Sequence, residues 1–134
     1  MNNYITEKLT EETQTRLSRS FDCGNQCLSL FLKSHEALDD FFGKTYIMLD
    51  ENNNKIIGYY NISTGHIEDE VNIRMGGTIY INCLALDVNY QKKKIGSSYI
   101  SDRLLGDCLQ RIMHMAKNSG KNTCIPMYPP LDYE

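Results

Sequence analysis

The stretch Leu84-Ala-Leu-Asp-Val-Asn-Tyr-Gln-Lys-Lys-Lys-Ile-Gly-Ser-Ser98 decides how the chain is read. It predicts an apolar strand, a short polar loop and the first turn of a helix. Backbone N–H groups gather at such a junction, at the positive end of the helix dipole, and make a seat for a phosphate or pyrophosphate. Just upstream, Thr78-Ile-Tyr-Ile-Asn-Cys-Leu-Ala-Leu86 is fairly apolar on both faces, which predicts a central strand. From Ile95 to about Asn118, the residues Ile100, Leu104, Leu105, Cys108, Leu109, Ile112, Met113 and Ala116 trace a broad apolar stripe, the pattern of an amphipathic helix. Ser119-Gly120 ends it, with Gly120 as its cap.

Further upstream, Tyr46-Ile-Met-Leu-Asp50 and Ile56-Ile-Gly-Tyr-Tyr-Asn-Ile-Ser63 flank an Asn-rich turn, a β-hairpin pattern. Residues 4–9 form a short first strand, and the polar residues 10–20 a loop or a marginal helix. Leu28, Phe31 and Leu32 sit at i, i+3, i+4 and predict a helix from Asn25 to about Leu38, capped by Asp22 or Asn25. Residues 65–77 are polar, end in Gly76-Gly77 and read as a loop. Asn122-Thr-Cys-Ile-Pro-Met-Tyr128 is a last strand, at an edge or a bulge because of Pro126. The order of elements is an α+β (α/β layered) pattern in a single domain spanning 1–134, with no repeat.

The formal net charge of -3 and the pI of about 5.6 exclude a wholly basic nucleic-acid platform. Lys92, Lys93 and Lys94 remain as a local basic patch, either phosphate ligands or a solvated loop. No apolar run approaches the roughly 18 residues of a membrane span. The N-terminus shows no signal-peptide pattern, so a cytoplasmic chain with its five cysteines reduced is expected. Cys23, Cys27 and His35 lack a second ligand pair, so no metal site is predicted. Cys83 and Cys108 read as core residues rather than nucleophiles, and Tyr59 and Tyr60 as sheet packing with one facing the cleft.

Gln91-Lys-Lys-Lys-Ile-Gly96 resembles the signature of the GNAT family of acyl-CoA-dependent N-acetyltransferases. That signature, Gln/Arg-x-x-Gly-x-Gly/Ala, follows the family's fourth strand and opens its third helix. Gln91 and Gly96 match, and Lys94 stands where the first glycine is usual. The chain also looks like one branch of that family, the GNAT toxins of toxin–antitoxin modules. The matching residues are Phe21-Asp-Cys-Gly-Asn25, Leu28, Leu32, Ile57-Gly-Tyr-Tyr60, Ser63, Gly65 and Cys83-Leu-Ala-Leu-Asp87, an ordered set over roughly residues 20–110.

The resemblance implies a GNAT-like, mostly antiparallel mixed sheet with flanking helices, lacking the family's usual last helix and hairpin. It implies acetyl-CoA as co-substrate, lying across Leu84, Ala85 and Leu86, whose backbone groups would pair with the pantetheine amides. The pyrophosphate would rest on the loop of Gln91, Lys92, Lys93, Lys94, Ile95, Gly96 and Ser97. The implied reaction is direct acetyl transfer to a primary amine, either a small molecule or aminoacyl-tRNA. His66, Glu68, Asp69 and Glu70 would then border the acceptor, or be a solvated acidic loop. The family's usual general acid is a Tyr in an Ala-x-x-Phe-Tyr setting. Tyr128 and Tyr133 lie in other contexts, so no catalytic residue is carried over. The missing acid motif and Lys94 support a second reading, a catalytically impaired GNAT-fold binding or interaction module. Expected partners are a second copy of the chain covering an open sheet edge and an antitoxin protein. The scattered Arg16, Arg19, Arg103 and Arg111 give tRNA little support.

Overall fold

The computed structural model describes residues 4–52, 54–68 and 74–119. Strands β1 (Tyr4–Lys8), β2 (Lys44–Asp50), β3 (Lys55–Glu68) and β4 (Arg74–Leu86) form an antiparallel sheet in the order β1-β2-β3-β4. The β2–β3 hairpin turns through the Asn-rich segment, where Asn54 takes a left-handed backbone with φ 51. Asparagine tolerates that conformation better than most residues. Helices α1 (Glu11–Leu17) and α2 (Gln26–Leu32) connect β1 to β2, and α3 (Ile100–Ser119) follows β4.

Adjacent strand residues face opposite sides, so the neighbours Tyr59 and Tyr60 are both fully buried in different cores. Tyr60, Ile62, Leu84 and Leu86 pack against Ile100, Leu104, Cys108 and Ile112, which recur every four residues along α3. On the other face, Tyr59, Ile47 and Ala85 meet Leu17, Phe21 and Leu32 from the α1–α2 segment. Gly58 lets α3 come close, because a Cβ there would lie 2.9 Å from Leu104 Cδ2. Met113, placed on the apolar stripe by sequence, is instead exposed.

Two further expectations are corrected, on the second helix and on residues 65–77, and two open alternatives are resolved. Residues 11–17 are a true helix, because the Thr10 side chain caps it by accepting from the Thr13 N–H. The helix expected from Asn25 to Leu38 stops at Leu32, and His35–Leu38 is a separate 3-10 turn. Ser34 Oγ donates to the Phe31 carbonyl at 2.7 Å, and Lys33 N–H bonds the Leu30 carbonyl, three residues back. Both bonds compete with the α-helical ladder. Asn25, not Asp22, caps α2, accepting from the Leu28 N–H. Residues 65–77 are not simply a loop, since the β3–β4 ladder continues to Glu68↔Arg74 through backbone pairing that apolar alternation does not signal. β3 is paired on both sides, and β4 is the last strand of the sheet among the described residues. The strand expected at 122–128 lies outside those residues.

Candidate functional site

The quoted stretch is built differently from a helix start. After β4, residues 88–92 turn, then Lys94–Ile95 (β5) and Ser98–Tyr99 (β6) pair as a small hairpin around Gly96-Ser97. The helix begins only at Ile100, whose N–H bonds the Lys93 carbonyl at 2.9 Å. Gly96 carries φ +62, a left-handed value that a right-handed helix excludes. A Cβ at Gly96 would meet nothing within 4 Å, so the glycine serves the turn's backbone and not a tight contact. Lys92 also holds φ 62.

Asp87 organises this loop. Its carboxylate is fully buried and accepts from the Asp22 N–H at 3.1 Å and the Asn89 N–H at 2.9 Å. Lys55 Nζ stands 3.7 Å away. Gln91, expected at the cofactor, ties the loop down: its side-chain amide donates to the carbonyls of Leu86 at 2.7 Å and Cys23 at 2.9 Å. A bond from the Val88 N–H to the Asp22 carbonyl at 2.7 Å adds to the seam. The turn before α2 and the loop after β4 are therefore one hydrogen-bonded unit. Sequence reasoning gave Asp87 no role. Its signal was an Asp two residues before Asn89, the spacing of a side-chain-to-backbone turn.

The Asp87 N–H donates to the Ile57 carbonyl at 2.7 Å, which sets the phase of the β3–β4 ladder. With Tyr59↔Ala85 and Tyr60↔Leu84 in register, Ala85 bonds to β3, whereas Leu84 and Leu86 direct their N–H and C=O groups away from it. Gln91 engages the outward Leu86 carbonyl. Leu84 thus presents a donor and an acceptor on the side of β4 where the described residues place no further strand. An extended chain bearing amides could pair there.

Lys92, Lys93 and Lys94 are exposed, as is Ser97, while Ile95 is half-buried against the α3 core. Lys93 Nζ lies 5.9 Å from the Tyr90 ring centroid and Lys94 Nζ 4.9 Å from that of Tyr99. With Tyr4, Lys55 and Asn89, Lys93 and Lys94 line a cleft of about 490 Å³ at the end of the sheet. Burial pushes the Cys83 thiol up to about 11 and the Cys108 thiol up to about 12. Both stay protonated at neutral pH, in keeping with core roles. Burial also raises the Tyr59 and Tyr60 phenols, whose hydroxyls donate to the Leu28 carbonyl and to Asp107. Among the described residues, no group of three or more His, Cys, Asp or Glu side chains could hold a metal ion, and no helix is long and apolar enough to cross a membrane.

No protein-family model and no curated protein matches the sequence. Several solved structures match the fold. One is a mutant AtaT toxin bound to the C-terminus of the antitoxin AtaR and acetyl-CoA, with TM-score 0.70 and 19% identity over 95% of this chain and 76% of that one. A second is the KacTA–DNA complex, with TM-score 0.74 and 19% identity over 95% and 77%. A third is AtaT complexed with acetyl-methionyl-tRNAfMet, with TM-score 0.72 and 17% identity over 95% and 79%. At these identities the likeness shows the fold, and the fold of this chain is that of the GNAT toxins.

Proposed function

We propose that the chain is an acetyl-CoA-dependent N-acetyltransferase acting on a primary amine, with the aminoacyl end of a charged tRNA as the acceptor class to test first. The carrying observation is the outward backbone of Leu84 beside an anchored, lysine-bearing loop, in a fold shared with a toxin that holds acetyl-CoA. Bound acetyl-CoA supplies the activated acyl carbon. Leu84 would pair with the pantetheine amides, and the Lys92–Ser97 loop would face the pyrophosphate. Orientation of the acyl carbon beside the amine is the main catalytic effect such a surface offers. The C–N bond forms as the C–S bond breaks, the nitrogen loses a proton and the sulfur leaves as the thiol.

Thermal unfolding with and without acetyl-CoA tests this reading. At 100 times its dissociation constant the ligand adds about 2.7 kcal/mol of stability. The absence of any shift at millimolar acetyl-CoA would sink the proposal. Thiol release with methionyl-tRNA and with small amines then identifies the acceptor. We infer an antitoxin protein as partner, and a second copy of the chain covering an open sheet edge other than the one at Leu84; a monomer by sizing at micromolar concentration would refute the latter. The hairpin that separates the loop from α3 favours a second reading, a binding module without catalysis. A saturable acetyl-CoA shift with no thiol release across those acceptors would select it.

A further inference from the structure

A polar ladder crosses the sheet face opposite α3, where packing alone would call for apolar residues. Asn61 is fully buried on the central strand, two residues from Tyr59 and on the same face. Its Nδ2 donates to Thr45 Oγ1 at 2.9 Å, which leaves its Oδ1 to accept from Asn82 Nδ2 at 2.7 Å. Asn82 Nδ2 also donates to Ser63 Oγ at 3.0 Å. Both amide hydrogens of Asn82 are thereby engaged, and the carbonyl end of an exposed side chain is the end left outward. The backbone agrees. With Asn61↔Cys83 and Ile62↔Ile81 in register, Asn82 is the extra residue of a β-bulge, the device that re-aims a side chain beside a site. Gly43 makes room for the ladder, because a Cβ there would clash with Asn61 Oδ1 and lie 2.9 Å from Asn82 Nδ2.

Asn82 precedes Leu84 by two residues, about 7 Å along the strand. We propose that Asn82 Oδ1 is the hydrogen-bond acceptor that holds the acceptor amine. This rests on the acetyltransferase reading. A neutral amine offers its N–H to this oxygen and keeps its lone pair for the acyl carbon.

The probe is L-methioninamide, an α-amine with a blocked carboxyl and an apolar side chain. It is titrated into the full chain and followed through the side-chain amide resonances of Asn61 and Asn82, with acetyl-CoA thermal shifts measured in parallel. Saturable shifts are expected in the parent protein. Asn82→Leu should weaken the amine about tenfold while leaving the acetyl-CoA shift unchanged, the size of one lost hydrogen bond. Asn82→Asp, which keeps an acceptor oxygen, should restore most of the affinity. No saturable binding in the parent, or unchanged affinity in Asn82→Leu, overturns the inference whatever acetyl-CoA does. Amine binding without any acetyl-CoA shift leaves the amine site standing and removes the acetyltransferase reading.

Discussion

Removing the Asp87 carboxylate should cost far more stability than removing any surface acid. Asp87→Ala deletes the acceptor for the Asp22 and Asn89 N–H groups and leaves Lys55 without its partner. A hydrogen bond to a charged group contributes about 1.5–3 kcal/mol net. Asn89 is exposed and regains water, so its loss sits below that range. The Asp22 N–H is partly buried and loses more, and Lys55 is partly solvated and loses little. The sum is about 3 kcal/mol, a large part of the 5–15 kcal/mol typical of a domain. With a urea slope of about 2 kcal/mol/M, the unfolding midpoint should fall by about 1.5 M. Asp87→Asn keeps the shape and one acceptor oxygen, so its loss should be about half as large. Asp40→Ala, which breaks a salt bridge to Lys8 between half-exposed side chains, should change stability by under about 1 kcal/mol. Equilibrium urea unfolding of the three variants orders them. Equal losses for Asp87→Ala and Asp40→Ala would refute the claim that the buried carboxylate organises the loop.

Gln91→Ala should destabilise the chain by about 1–3 kcal/mol in urea unfolding even without ligand, because two carbonyls lose their donor; a change confined to acetyl-CoA affinity would mean the side chain serves the cofactor instead. Gly96→Ala should cost about 1–2 kcal/mol from its φ of +62 alone, with no steric part, and Gly96→Asn should recover some of it in the same assay. Cys83 holds its proton to about 11 against an ordinary 9.0, so its folded pKa lies above its unfolded one. The stability tied to that proton is complete below pH 9 and falls as the pH rises toward 11, a loss that Cys83→Ser should lessen in pH-dependent unfolding. At pH 8, iodoacetamide followed by peptide mass mapping should modify exposed Cys27 well before Cys83 or Cys108.

The parts of the fold that sequence showed are those where one periodic pattern outweighs everything else. Ile100, Leu104, Cys108 and Ile112 fix α3, and the two apolar runs about the Asn-rich turn fix the β2–β3 hairpin. The start of α3 was misplaced by five residues because Ile95 fits the same stripe. A Gly-Ser pair between β-prone residues is also a hairpin signal, and the positive φ of Gly96 lets that signal win. The length of β3 and β4 beyond Ser63 was hidden for another reason. Their pairing there is a matter of backbone bonds, which leave no trace in polar side chains. Of the site, Leu84 and the lysine loop were visible as a motif. The tasks of Gln91 and Asp87 were not, because Asp87 depends on Asp22 and Gln91 on Cys23, each more than sixty residues away in sequence.

The clamp also sets where an extended ligand can lie on β4. Leu84 and Leu86 share the same outward phase, yet Gln91 has taken the Leu86 carbonyl. A chain of amides running along this edge therefore has the Leu84 N–H and C=O available and loses an acceptor at the loop end. It must leave the strand there. At its other end, two residues before Leu84, the strand bulges at Asn82. The open segment of β4 among the described residues is thus short and bounded on both sides, by a side-chain clamp and by a bulge. Both bounds depend on polar bonds rather than apolar packing. Substitutions at Gln91 should therefore act at the loop end of this segment and those at Asn82 beyond its other end, while the core beneath Leu84 stays intact.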